Sequence, residues 1–302
     1  MDVSVIIVNY HTEELIFNCI KSVLEKTLGV DYEIIVVDNA PMPNFDAELE
    51  AAFNKKTLHP VRYLRMPENP GFGMANNAGF KLAQGEFLFC LNPDTLLVNN
   101  AIGILHDYMK SHKDCGACGG NLYHMDMRRA LSMRRILPGI FWEISESMKL
   151  HPERLRYGRN TRFNHTRRPM DVGYITGADL MLRADVTKEL GGFSPDFFMY
   201  FEETDLCCRI NKMGYRIVSL PQARIIHLEG KSFSTEKVNT AKLRYYEESR
   251  AAYYRRNVNG KTAERAHRIY LRSLRKNSTK AGLKGEISRI RLEYALKAIA
   301  GG

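Results

Sequence analysis

The sequence predicts an α/β fold with three layers, in which helices cover both faces of a mostly parallel mixed sheet, followed by a basic helical extension. Two observations predict the sheet domain. Over residues 1–100 of the 302-residue chain, short apolar runs rich in β-branched residues alternate with segments of helical periodicity. The links between them are short, as in α/β domains with parallel strands. A third observation, an excess of Lys and Arg in the last fifth of the chain, predicts the extension.

The first half has the order strand, helix, strand, helix, strand. Three segments, "VSVIIV" at 3–8, "YEIIVVDNA" at 32–40 and "EFLFCLNPD" at 86–94, contain runs that are apolar on both faces, as expected of strands inside a parallel sheet. The first helix begins near Thr12 and carries two Glu residues in its first turn, where the helix dipole favours acids. Another helix, over 73–85, precedes the third of these strands.

The second half has a less regular pattern. Residues 120–170 are rich in Arg and contain the only Trp, Trp142, and their periodicity predicts little regular structure. We expect this stretch to be mobile or to face an acceptor. The pattern resumes with a strand and a turn over 172–183. An amphipathic helix over 205–213 then leads into a strand over 215–221.

Composition excludes several classes of protein. With 44% hydrophobic and 10% aromatic residues, the chain can fold around a core, which disordered chains cannot. No run approaches the roughly 18 apolar residues of a transmembrane helix. The N-terminal apolar run lacks the cleavage site of a signal peptide. The 6 cysteines form no disulfide framework, so we expect a protein of the reducing cytoplasm. Cys115 and Cys118 form an isolated CxxC, which small buried residues explain better than a zinc site.

The positive charge is concentrated at the C-terminus. Residues 241–302 contain 16 Lys and Arg against 5 Glu, which gives a net charge of +11. Residues 1–240 contain 28 Lys and Arg against 29 Asp and Glu, which gives a net charge of −1. The segment is helical by composition, with breaks near 257–260 and 277–282. Such a segment predicts an anionic partner, namely the headgroups on the inner face of a membrane, with nucleic acid as the less favoured partner. A solvated helical face is the alternative.

Polar residues follow three of the predicted strands, as Asn9–Tyr10, Asp38–Asn39 and Asn92–Asp94. The carboxyl ends of parallel strands share one edge of the sheet, so these side chains are expected to meet there. A carboxylate at Asp94, after the rigid Pro93, is suited to hold a divalent cation against a diphosphate. A dinucleotide-binding loop is excluded, because "VNYHTEEL" follows the first strand without the required glycines.

The segment "FFMYFEETDLCCRI" at 197–210 places Glu202, Glu203 and Asp205 beside aromatic residues. Carboxylates in such surroundings lose hydration, which raises their pKa and suits a proton acceptor. The alternative is capping of the helix that begins here, worth about 0.3–1 kcal/mol for one carboxylate. Capping of this helix accounts for one carboxylate but not for all three.

Six collinear motifs resemble the family 2 inverting glycosyltransferases, and in particular a bacterial rhamnosyltransferase-like branch. The motifs, which extend from about residue 3 to 256, are "VIIVNYHTEELIFNCIKSV", "IIVVDNA", "NPGFGMANNAGF", "FLFCLNPDT", "ITGADLMLRADVTKELGGFSPDFFMYFEETDLCCRINKMGYRI" and "ARIIHLEGKSF". The resemblance implies a GT-A fold, which is Rossmann-like, over 1–256, with a nucleotide-sugar half at 1–120 and an acceptor half at 121–256. Residues 257–302, the basic helical tail, lie outside it.

The resemblance also implies roles for individual residues. Glu203 is implied as the general base, and Asp205 as a second carboxylate that binds the acceptor or serves as the base instead. Asp179, in "GAD", is suited to bind a sugar hydroxyl or to form a turn. The implied metal ligands are Asp94 and His227. The residues implied to line the nucleotide-sugar site are Asn9, Tyr10, Asp38, Asn69, Gly71, Phe72, Gly73, Asn76 and Asn92, the last replacing the first Asp of the family's D-x-D motif.

The implied activity is an inverting transfer that depends on Mg²⁺ or Mn²⁺. An acceptor hydroxyl attacks the anomeric carbon while a carboxylate takes its proton, and the metal neutralises the departing diphosphate. The branch implies dTDP-L-rhamnose as the leading donor, and a saccharide or lipid-linked saccharide of cell-surface polysaccharide as the acceptor. The alternatives are a non-catalytic nucleotide-sugar or carbohydrate-binding module of the same fold, and a nucleic-acid-binding protein, although the tail has no recognisable reader motif. The sequence does not indicate an oligomeric state.

Overall fold

A computed structural model describes residues 1–54, 59–228 and 238–301. The strands are β1 (Val3–Asn9), β2 (Tyr32–Asp38), β3 (Val61–Arg65), β4 (Phe87–Leu91), β5 (Thr95–Leu97), β6 (Cys115–Tyr123), β7 (Met133–Arg134), β8 (Met170–Asp171), β9 (Tyr174–Ile175), β10 (Asp179–Arg183) and β11 (Arg216–His227). The helices are α1 (Glu13–Lys26), α2 (Phe45–Leu49), α3 (Phe72–Leu82), α4 (Ala101–Ser111), α5 (Ile140–Ser147), α6 (His151–Tyr157), α7 (Ala184–Glu189), α8 (Glu202–Lys212), α9 (Thr240–Asn257), α10 (Gly260–Ser278) and α11 (Leu283–Ala300), and a π-helical turn spans Glu50–Asn54.

The main sheet has nine strands in the part of the chain that the structure describes. Their order is β3-β2-β1-β4-β10-β6-β11-β5, and β8 pairs with β11. The strands β3, β2, β1 and β4 are parallel. Beyond them, β10 runs antiparallel to both of its neighbours, and β6 pairs in parallel with β11. The predicted mixed sheet is therefore parallel throughout its first half, and the antiparallel strands lie in its second half.

The two faces of the sheet carry separate cores. Alternate residues of β1 point to opposite faces, because side chains alternate along a strand. Val5 and Ile7 pack in a cluster with apolar residues of α1, α2 and α4. Ile6 packs in a second cluster with residues of α3, α7 and α8. Helices thus cover both faces, and the predicted three-layer arrangement is confirmed.

The C-terminal helices pack against the sheet domain. The predicted boundary at 256/257 falls at the end of α9, and the predicted boundary at 120/121 falls inside β6. A third apolar cluster joins Phe197, Phe201 and α8 to residues of α9 and α10. The predicted tail therefore packs on the domain through buried contacts. None of the described helices is long and apolar enough to cross a lipid bilayer.

The Arg-rich stretch at 120–170 contains two short helices, α5 and α6, and the short strand β7. They are held by ion pairs of the buried Arg134, whose guanidinium contacts Glu146 at 2.7 Å and Glu153 at 2.8 Å. Helices of 8 and 7 residues are too short to show a clear periodicity, so the sequence pattern predicted little structure here.

Candidate active site

A cleft of about 560 Å³ lies at the carboxyl-terminal ends of β1 and β4, where the sequence predicts a ligand site. It is bordered by the residue after β1, the loop before α3, the turn after β4, the beginning of α8 and the end of β11. The predicted site residues that line it are Tyr10, Asn69, Gly71, Phe72, Asn92, Asp94, Glu203 and His227. Residues from five separate segments thus meet in one cleft.

The loop before α3 is fixed to both sides of the cleft. The Asn69 side-chain oxygen accepts hydrogen bonds from Asn39 Nδ2 at 3.1 Å and from the Gly71 amide at 2.9 Å. The Phe72 amide donates to the Phe198 carbonyl at 3.1 Å. Gly71 has a φ of +89°, and a Cβ here would lie 2.2 Å from that carbonyl oxygen. Only glycine fits, which explains its place in the motif.

Asp94 and His227 meet because of the strand register. β11 runs antiparallel to β5 with His227 opposite Thr95, so the imidazole reaches the turn that carries Asp94. His227 Nε2 lies 3.2 Å from Asp94 Oδ1 and 3.4 Å from Asn92 Nδ2. A carboxylate and an imidazole with an amide beside them form a donor set that suits Mn²⁺ and can serve Mg²⁺.

These residues fit a divalent cation only in part. Among residues 1–54, 59–228 and 238–301, no group of three or more His, Cys, Asp or Glu side chains is placed to hold a metal. Asp94 and His227 would therefore be its protein ligands, and the remaining positions would belong to the substrate diphosphate or to water. When bound, the cation would neutralise charge on the departing diphosphate.

Glu202 and Glu203 begin α8 after an unusual turn. Tyr200 and Phe201 have φ values of +70° and +64°, a left-handed conformation that bulky residues seldom adopt. This turn directs both glutamates into the cleft. Glu203 Oε1 accepts a hydrogen bond from the Thr204 hydroxyl at 3.1 Å, whereas Glu202 Oε2 is buried without a partner among the described residues.

Burial raises the pKa values of the two glutamates to different extents. Loss of hydration raises the pKa of Glu203. It raises the pKa of Glu202 well above its usual range, and the neighbouring charge of Glu203 raises it further. Glu202 is therefore harder to ionise than Glu203. The pair can present one carboxylate that accepts a proton and one neutral acid.

Asp205, the second candidate base, does not line the cleft. It is fully buried, and its Oδ2 accepts a hydrogen bond from Arg209 at 2.8 Å. Its Oδ1 accepts from Asn257 at 2.7 Å and contacts Arg256 Nε at 3.4 Å. Both carboxylate oxygens of Asp205 are thus occupied by donors of the protein. Asp205 is therefore placed to join α8 to the end of α9, which positions the glutamates of the cleft.

Asn9 and Asp38 lie beneath the cleft, with no exposed surface. Asn9 Nδ2 donates to Asp38 Oδ1 at 2.9 Å, and the Tyr63 hydroxyl donates to Asp38 Oδ2 at 2.7 Å. These bonds tie the end of β1 to β2 and β3. The next residue after each, Tyr10 and Asn39, lines the cleft instead.

Three further predicted residues pack behind the cleft. A Cβ on Gly73 would lie 2.9 Å from the Phe193 side chain, so this glycine permits close packing of α3. Asn76 is buried and donates to the Phe72 carbonyl at 3.0 Å. Asp179 is buried and accepts from the Gly120 amide at 2.6 Å, and burial raises its pKa well above the usual range. In the structure described, none of the three lines the cleft.

Lys242 and Thr176 are among the cleft residues that the sequence reasoning missed. Lys242 approaches the cleft from α9, and burial lowers its pKa. Thr176 lines it from the turn before β10. The motif pattern could not single out Lys242, because it lies among many basic residues in a segment whose packing is set by tertiary structure. The end of the predicted motif "ARIIHLEGKSF" lies outside the described residues from 229 onwards.

The sequence was compared with known proteins. Residues 4–191 match the family described as Glycosyl transferase family 2. The O-antigen biosynthesis protein RfbC of Myxococcus xanthus is 26% identical over 252 residues, which are 79% of this chain and 18% of RfbC. The N-acetylglucosaminyl-diphospho-decaprenol L-rhamnosyltransferase of Mycobacterium tuberculosis is 28% identical over 183 residues, which are 55% of this chain and 58% of that protein. The chain thus spans less than two thirds of the length of either relative.

A solved structure confirms the fold. The mannosyltransferase PcManGT from Pyrobaculum calidifontis, determined in complex with GDP-Man and Mn²⁺, superimposes with a TM-score of 0.64 at 15% identity. The superposition covers 98% of this chain and 86% of PcManGT. The predicted GT-A fold is therefore confirmed. The sequence match extends over more than half of the residues, and the chain belongs to glycosyl transferase family 2.

Proposed function

We propose that the protein is a metal-dependent inverting glycosyltransferase of glycan biosynthesis. The observation that carries this proposal is that Glu203 and the Asp94–His227 pair line the same cleft. A proton acceptor and a site for a diphosphate-bound cation are the two groups that such a transfer needs. They come from different elements, α8 on one hand and the ends of β4 and β11 on the other, so a donor sugar can lie between them.

In the proposed reaction an acceptor hydroxyl attacks the anomeric carbon of the donor sugar. The new bond joins the acceptor oxygen to that carbon. The bond from carbon to the diphosphate oxygen breaks, and its electron pair leaves with the nucleoside diphosphate. Glu203 takes the hydroxyl proton. Lys242, which lines the same cleft, could offer positive charge to the departing diphosphate.

The names of the relatives support a particular donor and acceptor. A relative named as an L-rhamnosyltransferase supports dTDP-L-rhamnose as the donor, and its name supports a lipid-linked saccharide as the acceptor. The alternative is a non-catalytic nucleotide-sugar or carbohydrate-binding module of the same fold. The intact set of Asp94, His227 and Glu203 favours the enzyme. Unfolding temperatures measured with a panel of nucleotide sugars will identify the donor, which should raise the midpoint most in the presence of Mn²⁺ or Mg²⁺.

The metal assignment predicts a loss of stabilisation by ligand in Asp94→Asn. In the unchanged protein, Mn²⁺ with a nucleoside diphosphate at 100 times its dissociation constant should stabilise the fold by about 2.7 kcal/mol. The variant should lose most of this gain, because an amide oxygen is a weaker ligand than a carboxylate. The matched control is Asp107→Asn, which changes another Asp–His pair, with His106 at 2.9 Å, outside the lining of the cleft. If Mn²⁺ with the nucleoside diphosphate stabilises both variants equally, the assignment of Asp94 as a metal ligand is wrong.

The basic tail is proposed as a peripheral contact with anionic membrane surfaces. Lys261, Arg265, Arg268, Arg272 and Arg275 are all exposed, and their spacing of three and four residues places them along one side of α10. Each Lys or Arg held at an anionic membrane contributes about 1 kcal/mol. Although the helix packs on the domain through its other side, this stripe is accessible to headgroups.

The membrane contact predicts weaker binding after Arg268→Gln and Arg272→Gln are combined. Removal of two charges should weaken binding to phosphatidylglycerol vesicles by about 2 kcal/mol, roughly 30-fold. Vesicle sedimentation at low and high salt measures this. The control combines Lys21→Gln with Lys113→Gln, two exposed residues of the sheet domain. Equal binding to phosphatidylcholine and phosphatidylglycerol would contradict the contact, and preferential, steeply salt-dependent binding to DNA or RNA would instead favour the nucleic-acid alternative.

A further inference from the structure

A second cavity, also of about 560 Å³, lies between α5, α9, α10 and α11. Its size is within the range of small-molecule sites. We propose that it binds a neutral saccharide, the part of the acceptor that extends beyond the sugar that reacts. This inference rests on the proposed transferase function for its role, although the binding itself can be tested without transfer.

The cavity carries balanced charge. Glu143 and Glu146 line it together with Lys284 and Arg291. Three of these four are already engaged: Glu143 pairs with Arg250, Glu146 with Arg134 and Arg162, and Arg291 with Glu247 at 2.6 Å. A lining with equal numbers of acids and bases favours a ligand without net charge. The site is therefore suited neither to a phosphate nor to a cation.

Both aromatic and polar side chains line the cavity. Trp142, Tyr246 and Tyr270 supply ring surfaces, and Ser273 and Asn277 supply a hydroxyl and an amide. Aromatic surface with a few placed polar groups is typical of small-molecule sites. The C–H face of a sugar ring packs on such rings while its hydroxyls bond to the polar groups. This combination favours a saccharide over a purely apolar ligand.

Trp142 supplies a hydrogen-bond donor that lacks a partner. The residue is only 6% exposed, and its indole Nε1 is buried with no hydrogen bond to the described residues. A buried donor left unsatisfied costs about 1–3 kcal/mol, so its presence needs an explanation. A saccharide hydroxyl or amide oxygen in the cavity would accept this hydrogen bond.

The cavity adjoins the candidate active site through aromatic contacts. Tyr246 lines the cavity, and its ring centroid lies 5.9 Å from that of Tyr200 and 5.3 Å from that of Phe201. Tyr200 lines the cleft, and both residues belong to the turn directly before Glu202 and Glu203. The Tyr246 ring would thus stand between a saccharide in the cavity and the turn that orients the proposed base. This position suits a part of the acceptor away from the sugar that reacts.

The only Trp of the chain reports directly on the cavity, since it is Trp142. We would titrate chitobiose, cellobiose, maltose and L-rhamnose up to tens of millimolar and follow Trp emission with selective excitation. The titration is made in the unchanged protein and in Glu203→Gln. At least one saccharide should change the emission in a saturable way and with equal affinity in both proteins, because the cavity does not include Glu203.

Variants that fill the cavity test whether the saccharide binds there. Ser273→Phe fills the cavity from α10, and Ile287→Phe fills it from α11, so one can replace the other if it fails to fold. Either should weaken saccharide binding by about tenfold or more, equivalent to 1.4 kcal/mol. The control is Glu264→Phe, an exposed residue of α10 outside the cavity, which should bind as the unchanged protein does.

The outcomes separate this inference from the proposed function. If no saccharide changes the Trp142 emission while the protein still releases nucleoside diphosphate from a donor, the cavity inference is wrong and the function stands. A response to 1-octanol without any response to saccharides would equally overturn it. If saccharides bind and the blocking variants abolish binding, but no donor is ever turned over, the site is upheld and the transferase proposal fails.

Discussion

Replacement of Glu203 by Gln is expected to lower the rate of sugar transfer by about 10²–10⁴-fold, the usual contribution of a general base. Gln has nearly the shape of Glu but cannot take the proton of the attacking hydroxyl. The cleft and its donor site should remain intact, so the nucleoside diphosphate should still stabilise the variant. Steady-state transfer rates and unfolding midpoints measured on the same preparation test both parts.

Glu202→Gln is the matched control, since it changes the adjacent carboxylate on the same helical turn. Burial and the neighbouring charge of Glu203 raise the pKa of Glu202 well above its usual range, so a neutral amide in its place should lower the rate far less. Asp205→Asn should lower the unfolding midpoint, because it weakens the contacts to Arg209, Arg256 and Asn257. A normal rate in Glu203→Gln together with a large loss in Glu202→Gln would move the base to Glu202.

The assignment of Glu203 as the general base also predicts how the rate of sugar transfer depends on pH. Burial raises the pKa of Glu203, and a base acts only in its deprotonated form. The rate should therefore fall as the pH decreases through this raised pKa, which lies above that of an ordinary Glu. The residual rate of Glu203→Gln should lack this acidic limb. If Glu203→Gln keeps the acidic limb of the pH profile, that limb belongs to the titration of another group.

Arg250→Met is expected to cost about 3–5 kcal/mol of unfolding free energy, the usual effect of breaking a buried ion pair. Arg250 is 1% exposed, pairs with Glu143 and lies over the Tyr270 ring at 3.8 Å. Without it, the one hydrogen bond left to Glu143 among the described residues would come from the Tyr254 hydroxyl, at 2.6 Å. Urea denaturation measures the loss.

The control combines Arg250→Met with Glu143→Leu. A buried ion pair replaced by apolar residues is often neutral, so the double variant should recover most of the lost stability. Burial raises the pKa of Glu143, and loss of Arg250 should raise it further in the folded state. The single variant should therefore lose stability as the pH rises from the range of an unfolded Glu towards neutrality. Normal stability of Arg250→Met would show that this pair does not anchor α9 to α5.

Residues at strand ends and within motifs were predictable from the sequence. Asp94 follows a clear apolar run, and Glu203 stands at the start of an amphipathic helix, so local pattern was sufficient to place both near the expected edge. His227 was named from a motif, and the antiparallel register of β11 and β5 explains its approach to Asp94. The alternation of strands and helices likewise predicted the three layers.

The remaining features depend on contacts between distant parts of the chain. Asp205 is held by Asn257, 52 residues later, and Glu143 meets Tyr254, 111 residues later. Periodicity carries no information on such pairs. For the same reason the sequence could not indicate that Asp38 is buried under Tyr63, or that the basic tail forms one wall of a second cavity.

The central claim is that this cleft transfers sugar from a nucleotide donor with the help of a divalent cation. The most direct measurement is release of nucleoside diphosphate from a panel of nucleotide sugars, with Mn²⁺ or Mg²⁺ and with a chelator. We expect release from one donor, led by dTDP-L-rhamnose, that stops in the chelator and is strongly reduced in Asp94→Asn. No release from any donor with either metal, by a protein that still binds nucleotide sugars, would contradict the claim and leave a binding module.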